Sequence, residues 1–533
     1  MKTRIDHATV ITARGDQVVV LDHSSITYAD GVITHVGPTT PGQAGAPGEP
    51  PLVSLGELRG RPLGAILTRT GKVTREQVAA ALERQQSTHG VIGQILLELG
   101  YVSEADVEWA LAVQAGREAA ATPEDEPVQV IDGRDRIVLP GLVNTHHHLF
   151  QSLTRCLPAV QSATLFEWLT TLYPVWRELN HDALHKAAMV SIAELLLGGC
   201  TTTSDHHYLF PRQRDASIEA VLEAAQTLGI RIHACRGSMS VGQSRGGLPP
   251  DDCTEDEETI LADSLRAIER FHDPRPMAMR RIDLAPCAPF SVSAELLEAT
   301  AGLARERNVL LHTHAAETLD EERYCLERFR VRPIEFLHQH GWLGPHVYLA
   351  HCVHLDADEI ALLARTQTAV AHCPSSNMRL GSGAPPIQAL LDAGVRVGLG
   401  VDGSSSNDAG NLLLETRQAL LLQRLVHGPG AMTPMQAFRL GTVGGASVLN
   451  RRELGRLEPG AAADMAIYRA DDIALAGAFG QDPLAAMVLC QPPRPESVIV
   501  NGRMVVQDGQ VTGVDAPRLA SDFNQFVRRH FRP

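Results

Sequence analysis

Two histidines one residue apart close an apolar run, Ile137-Val138-Leu139-Pro140-Gly141-Leu142-Val143-Asn144-Thr145-His146-His147-His148. On an extended chain, side chains two apart share a face, so His146 and His148 point together while His147 points back. Neutral imidazole is a ligand for zinc or iron, and a pair fixed at a strand end needs two or three more donors from elsewhere. Three later stretches offer them. Asn308-Val309-Leu310-Leu311-His312-Thr313-His314 ends on histidine, with Glu317 three residues on; Val347-Tyr348-Leu349-Ala350-His351 ends on histidine; Val395 to Asp402 ends on aspartate. Each polar residue follows a buried-type strand and precedes a helical stretch, which is where a (β/α)8 barrel carries its chemistry.

These motifs carry a resemblance. Asn144-Thr145-His146-x-His148, His314-x-x-Glu317, Ala350-His351-Cys352 and Val401-Asp402-Gly403 resemble the signatures of the amidohydrolase superfamily, in its aminohydrolase (deaminase) branch. Leu165-Phe166-Glu167-Trp168-Leu169, with Leu172-Tyr173-Pro174-Val175-Trp176, further resembles the group that holds 8-oxoguanine deaminase and the hydroxyatrazine-type triazine hydrolases. The likeness covers residues 1 to 40 and 128 to 515. It implies one divalent metal ion per subunit, zinc or alternatively iron, on His146, His148, His314 and Asp402, with an open position where water loses a proton near neutral pH and attacks as hydroxide. In the same reading Asp402 also accepts that proton, Glu317 shuttles protons to a ring nitrogen and the departing amine, and His351 polarises the attacking oxygen. Lys2, Lys72 and Lys186 are the only lysines, and Lys186 falls in a helical pattern, so the carboxylated lysine that bridges two metals in other amidohydrolases has no counterpart on a strand.

Other residues suit plainer roles. His312 shares the face of His314 but lacks the spacing to Glu317, and His147, His206, His354 and His372 read as hydrogen-bonded structural or pocket histidines. For substrate, Gln151 matches a position that contacts the purine ring in guanine-type deaminases. Trp168, with Tyr173 and Trp176, could stack on a flat heterocycle, and Arg236 could meet a substrate carbonyl through its fork of donors. In Pro286-Cys287-Ala288-Pro289-Phe290-Ser291 a proline replaces the substrate arginine of guanine deaminases. The leading reaction is therefore 8-oxoguanine to urate plus ammonia, with a hydroxylated s-triazine or a pterin as the alternative. A reading from another class is a nucleotide-responsive binding protein working through an insert described below.

The fold that must position these residues is α/β: a metal-dependent (β/α)8 barrel at 141–447, a small β-sandwich built from both termini (1–45 with 128–140, and 448–515), an inserted all-α tandem-repeat domain at 50–118, and a C-terminal helical tail at 516–533. Runs 149–180 and 237–258, after the first and third strands, are candidate lids. The insert pairs Gly64 with Gly93, Ile66 with Ile95, Leu67 with Leu96, Val78 with Val107 and Gln85 with Gln114 at one constant offset, and each unit starts its second helix with a capping motif, Thr74-x-x-Gln77 or Ser103-x-x-Asp106. It resembles the paired N-terminal domain of type II secretion and type IV pilus ATPases. That implies a cyclic dinucleotide partner, although Pro62 and Val91 stand where the binding pattern has arginine, with Arg59 and Arg61 close by.

Composition narrows the class. A 533-residue chain with 44% hydrophobic and 20% charged residues is of soluble, multi-domain type, and a net charge of -15 argues against a nucleic-acid surface. No stretch reaches the length of a membrane span, and the N-terminus alternates like a strand, so a cytoplasmic enzyme is expected, assembled as a homo-oligomer. Nine cysteines without a Cys-x-x-Cys pair read as reduced thiols.

Overall fold

The computed structural model describes residues 2–39, 61–69, 73–88, 90–114 and 128–531. Two compact units divide the chain: Met1–Arg4 with Thr39–Val130, and Ile5–Pro38 with Ile131–Pro533.

In the larger unit, eight parallel strands close into a barrel: Leu142–Asn144, Cys200–His207, Arg231–Ser238, Arg280–Pro286, Leu311–Ala315, Val347–His351, Ala369–His372 and Val397–Leu399. Closure is by Leu399 against Asn144. The strands from Cys200, Arg231, Leu311, Val347 and Ala369 are buried along their whole length, as strands must be when helices cover the outside and side chains fill the inside. Asn144 ties the mouth together, donating to Thr203 Oγ1 (3.0 Å) and accepting from the Val401 amide (2.9 Å). This fixes the first strand end relative to the second and eighth.

The strands from the two termini form one mixed sheet in place of the expected two-layered sandwich. Lys2–Arg14 runs parallel to Arg136–Pro140, which runs antiparallel to Met465–Arg469, so N- and C-terminal pieces are hydrogen-bonded neighbours within a sheet. Of the two candidate lids, 149–180 contains the helix Leu165–Trp176. It starts at a Thr164/Glu167 capping box and buries Leu165, Trp168, Leu169, Leu172, Tyr173 and Trp176, one stripe at helical spacing. The run 237–258 holds two short 3-10 turns, Gln243–Arg245 and Asp251–Cys253.

The smaller unit contains four helices among its described residues, Leu63–Arg69, Arg75–Thr88, Ile92–Glu98 and Glu104–Gln114, around Ile66, Leu67, Ala81, Ile95, Leu96 and Ala110. Gly64 leaves room for Val78, and Gly93 for Val107: a Cβ at either would meet the valine methyl at 3.0 or 2.9 Å. Gln85 donates to the Gly90 carbonyl and Gln114 to the Arg61 carbonyl, both at 2.8 Å. Arg59 and Lys72 lie outside the described residues. No described helix is long and apolar enough to cross a membrane, and all nine cysteines are free thiols.

Candidate metal centre

His146 and His148 follow directly on the first strand, His314 lies in the fifth, and Asp402 stands three residues past the eighth. Their donor atoms converge. His148 Nε2 and His314 Nε2 are 3.1 Å apart, and Asp402 Oδ1 is 3.3 Å from both His146 Nε2 and His148 Nε2. His146, His148 and His314 form one group able to hold a cation, and His146, His351 and Asp402 another.

The far side of each ring decides its tautomer. His148 Nδ1 lies 2.7 Å from the His206 carbonyl, and His314 Nδ1 lies 2.6 Å from the Cys287 carbonyl. A carbonyl only accepts, so both Nδ1 atoms carry hydrogen and both Nε2 atoms present bare lone pairs to each other and to a carboxylate. Such a cluster is repulsive by itself and is relieved by a cation at its centre, so the donor set fits a divalent metal. Burial, first of all, holds the pKa of each of the three rings below that of free imidazole, which favours the neutral, ligating form. Burial works the other way on Asp402, and His146, His351 and His148 lower its pKa only while those rings turn a proton toward it.

Two further groups face this cluster. Glu317 is buried, and burial, reinforced by the charges of Asp402 and Glu321, pushes its pKa well above the usual carboxyl range. That environment favours the protonated form of the carboxyl. His351 Nε2 lies 3.6 Å from Glu317 Oε2 and 4.0 Å from Asp402 Oδ2. With Asn377 Nδ2 donating to His351 Nδ1 at 3.1 Å, this ring has the opposite tautomer and turns an N–H toward the cluster. Ala316, His351 and Asp402 have positive φ (51°, 71° and 63°), an unfavourable conformation for non-glycine residues held here at three strand ends. At the first of them, Glu321 accepts the amides of Ala316 (3.0 Å) and Glu317 (2.8 Å), fixing the turn that carries Glu317.

A cavity of about 30 Å³ adjoins the cluster, lined among others by His148, Gln151, Trp168, Tyr208, Glu317 and Asp402. Gln151 and Trp168 both line this cavity. Gln151 packs so closely on Gly403 that a Cβ there would stand 1.9 Å from its Oε1. Trp168 Nε1 donates to the Ser405 carbonyl at 3.3 Å. Tyr173 and Trp176 are buried behind it, Trp176 donating to Thr154.

Arg236 does not line this cavity. Its Nε donates to Asp263 (2.6 Å), its Nη2 to Glu255 (2.8 Å) and its Nη1 to the Gly237 carbonyl, with Phe210 stacked beneath at 3.8 Å. The fork expected to meet a substrate carbonyl is spent on two carboxylates that come from the following loop and helix.

His312 lies 2.7 Å from His146 Nδ1, His206 donates to the Ala285 carbonyl, and His354 lies 2.9 Å from the Ser382 carbonyl. Lys186 sits on the helix His181–Leu197, paired with Asp182 and away from the strand ends. Tyr208, Asn377 and Glu321 were missed by sequence reasoning. Tyr208 had a signal, being two residues beyond His206 on the alternation of the second strand.

A closed parallel barrel with this donor set at its mouth is the scaffold of a metal-dependent hydrolase acting on C–N bonds. A model of the Amidohydrolase family matches residues 137–505, and the chain belongs to that family. It is 47% identical over 419 residues to an 8-oxoguanine deaminase of Pseudomonas aeruginosa, covering 78% of this chain and 93% of that one. To a hydroxydechloroatrazine ethylaminohydrolase of a Pseudomonas species it is 38% identical over 414 residues, 76% and 85% of the two chains. Among solved structures, the atrazine chlorohydrolase of Arthrobacter aurescens complexed with zinc superposes with a TM-score of 0.78 at 30% identity, over 98% of this chain and 100% of that one.

Proposed function

We propose that this enzyme is a mononuclear aminohydrolase that converts 8-oxoguanine to urate and ammonia. His146, His148, His314 and Asp402 would hold one divalent ion, zinc or iron. When bound, the ion supplies Lewis-acid activation of water at neutral pH. The carboxylate of Asp402, ionised and beside the imidazoles, takes a proton from the nucleophilic water. Glu317, whose protonated form burial favours, gives its proton to the ring nitrogen next to the carbon under attack, takes up the hydroxyl proton of the adduct and passes it to the amine as the C–N bond breaks, and the proton held by Asp402 then restores the Glu317 acid. The His351 N–H binds the incoming oxygen. Gln151 and Trp168 orient the flat ring by hydrogen bonding and stacking.

The observation that carries the reaction class is the convergence of His148 Nε2, His314 Nε2 and the Asp402 carboxylate beside the buried Glu317 carboxyl on one cavity. What supports the substrate is the likeness to the Pseudomonas 8-oxoguanine deaminase. The likeness to the triazine aminohydrolase, and to an isoxanthopterin deaminase 37% identical over 424 residues, favours, as second reading, a hydroxylated s-triazine or a pterin processed by the same residues. We further infer that 50–118 is a helical tandem repeat inserted within the first part of the terminal sheet region, between 1–45 and 128–140, that 448–515 is the second part of that region, 141–447 the catalytic barrel and 516–533 a helical tail, and that the enzyme works in the cytoplasm as a homo-oligomer. A purely nucleotide-binding role for the insert is disfavoured by the complete donor and acid set in the barrel.

The test is ammonia release from 8-oxoguanine, guanine, isoxanthopterin and a hydroxylated aminotriazine with zinc-loaded protein, beside Glu317→Gln. Release from 8-oxoguanine with urate as product, lost in the variant, is expected. Release from the triazine or pterin alone would replace the substrate, and silence across the panel with metal bound would refute the reading.

A further inference from the structure

Three imidazoles point a bare Nε2 into the metal cluster, but they are oriented by different means. His148 and His314 each rest on a backbone carbonyl, those of His206 and Cys287. His146 rests on a side chain: its Nδ1 is 2.7 Å from His312 Nε2. The other nitrogen of His312 lies 2.8 Å from the Tyr348 carbonyl. Since that oxygen only accepts, His312 carries its hydrogen on Nδ1 and offers a lone pair at Nε2. His146 Nδ1 must then be the donor, and its Nε2 is left bare.

His312 is itself held firmly. Its ring is stacked on Tyr348 with centroids 3.9 Å apart and 10° between planes. The Tyr348 hydroxyl donates to Asp283 at 3.0 Å and lies 3.0 Å from Ser204 Oγ, so the stacking partner is anchored at its far end. His312 is fully buried and is not among the residues that line the cavity.

We propose that His312 is a positioning residue for the metal centre, relaying the Tyr348 carbonyl to His146 and thereby setting the tautomer and ring orientation that let His146 bind a divalent ion. This rests on the metal-centre reading above. The rival role, His312 as a ligand, has some geometric basis, because His146, His206 and His312 bring three nitrogens within 4.8 Å of one another. The 2.7 Å contact favours the relay, being the length of a strong hydrogen bond and using the lone pair a ligand would need.

The test compares wild type, His312→Phe and His312→Gln for zinc affinity by competition with a chromogenic chelator, for ions bound per chain, and for the visible spectrum of the cobalt-substituted protein. Phenylalanine keeps the stack and loses both hydrogen bonds. Zinc affinity is expected to fall about 10- to 100-fold, the usual effect of losing a partner that orients a ligating histidine, with an altered cobalt spectrum. Glutamine, whose amide can donate to Tyr348 and accept from His146, is expected to restore most of both. Should the phenylalanine variant not fold by circular dichroism, His312→Asn, too short to span both partners, carries the same expectation as phenylalanine. Unchanged affinity and spectrum in His312→Phe would overturn the proposal, as would two ions in wild type with one lost in the variant. A wild-type chain that takes up no divalent ion would instead overturn the metal-centre reading on which it stands.

Discussion

Replacing Asp464 by alanine should cost the fold much and the chemistry little. Asp464 immediately precedes the strand Met465–Arg469, and its carboxylate meets the guanidinium of Arg231, the first residue of the third barrel strand, through contacts of 3.0, 3.2 and 3.2 Å. Both side chains are buried. The Asn501 amide also donates to Asp464 at 2.6 Å, and Arg231 has two further acceptors, the Met277 and Ala278 carbonyls at 2.5 and 2.8 Å. Removing the carboxylate therefore leaves a buried cation with two neutral acceptors and no counter-charge. Breaking a buried pair from one side costs about 3–5 kcal/mol, and unit charges about 4 Å apart at an effective dielectric near 20 give about 4 kcal/mol. At roughly 2 °C per kcal/mol for a large unit, Tm should fall by about 6–10 °C. The assay is thermal unfolding by circular dichroism, with kcat measured below the transition. Arg231→Met combined with Asp464→Leu should recover most of the loss, because no charge is then left buried. Because Arg231 begins its strand and the metal-site residues follow strand ends, kcat should stay within about twofold of wild type. A Tm drop below about 2 °C, or a double variant no more stable than Asp464→Ala, would refute the reasoning.

Three other outcomes are expected. Burial raises Glu415 from 4.5 to about 7; the native state therefore holds a proton that the unfolded chain has lost, and this contribution to stability declines as pH rises from 4.5 to about 7. Tm measured across that window should show Glu415→Gln gaining relative to wild type as pH increases, and a constant difference would contradict it. Tyr208 lines the cavity together with Gln151 and Glu317, so Tyr208→Phe should lower kcat/KM about 10-fold, the worth of one hydrogen bond; steady-state kinetics with unchanged kcat/KM would exclude a role for that hydroxyl. Asn377→Ala removes the donor that sets the His351 tautomer, and kcat should fall roughly 10-fold with KM little changed; a selective rise in KM would point to substrate contact instead.

How far these features could be read from the sequence follows from what each residue type announces. The barrel and its chemical end were readable because four apolar runs stop on His, His, His and Asp, and a strand end fixes both the place and the face of such a residue. The partners of those residues were not. His148 and His314 are oriented by the carbonyls of His206 and Cys287, and a carbonyl has no side-chain signature. Arg236 was misplaced for a related reason: its position at a strand end was visible, but its neutralisation by Glu255 and Asp263 depends on how the following loop and helix fold back. Asn377 and Glu321 lie on helices that follow barrel strands, and only the closed barrel brings the first against His351 and the second beneath Glu317. In the terminal sheet, alternation identified the strands but not which would pair, since pairing of Arg136–Pro140 with both termini is a property of the whole chain.

The measurement that bears most directly on the account is ammonia released from 8-oxoguanine as zinc is titrated into metal-stripped protein. The account predicts a linear rise that breaks at about one equivalent per chain, the occupancy of a single site with three imidazoles and one carboxylate. A break at two equivalents, or turnover that is full without added metal and insensitive to chelator, would contradict it.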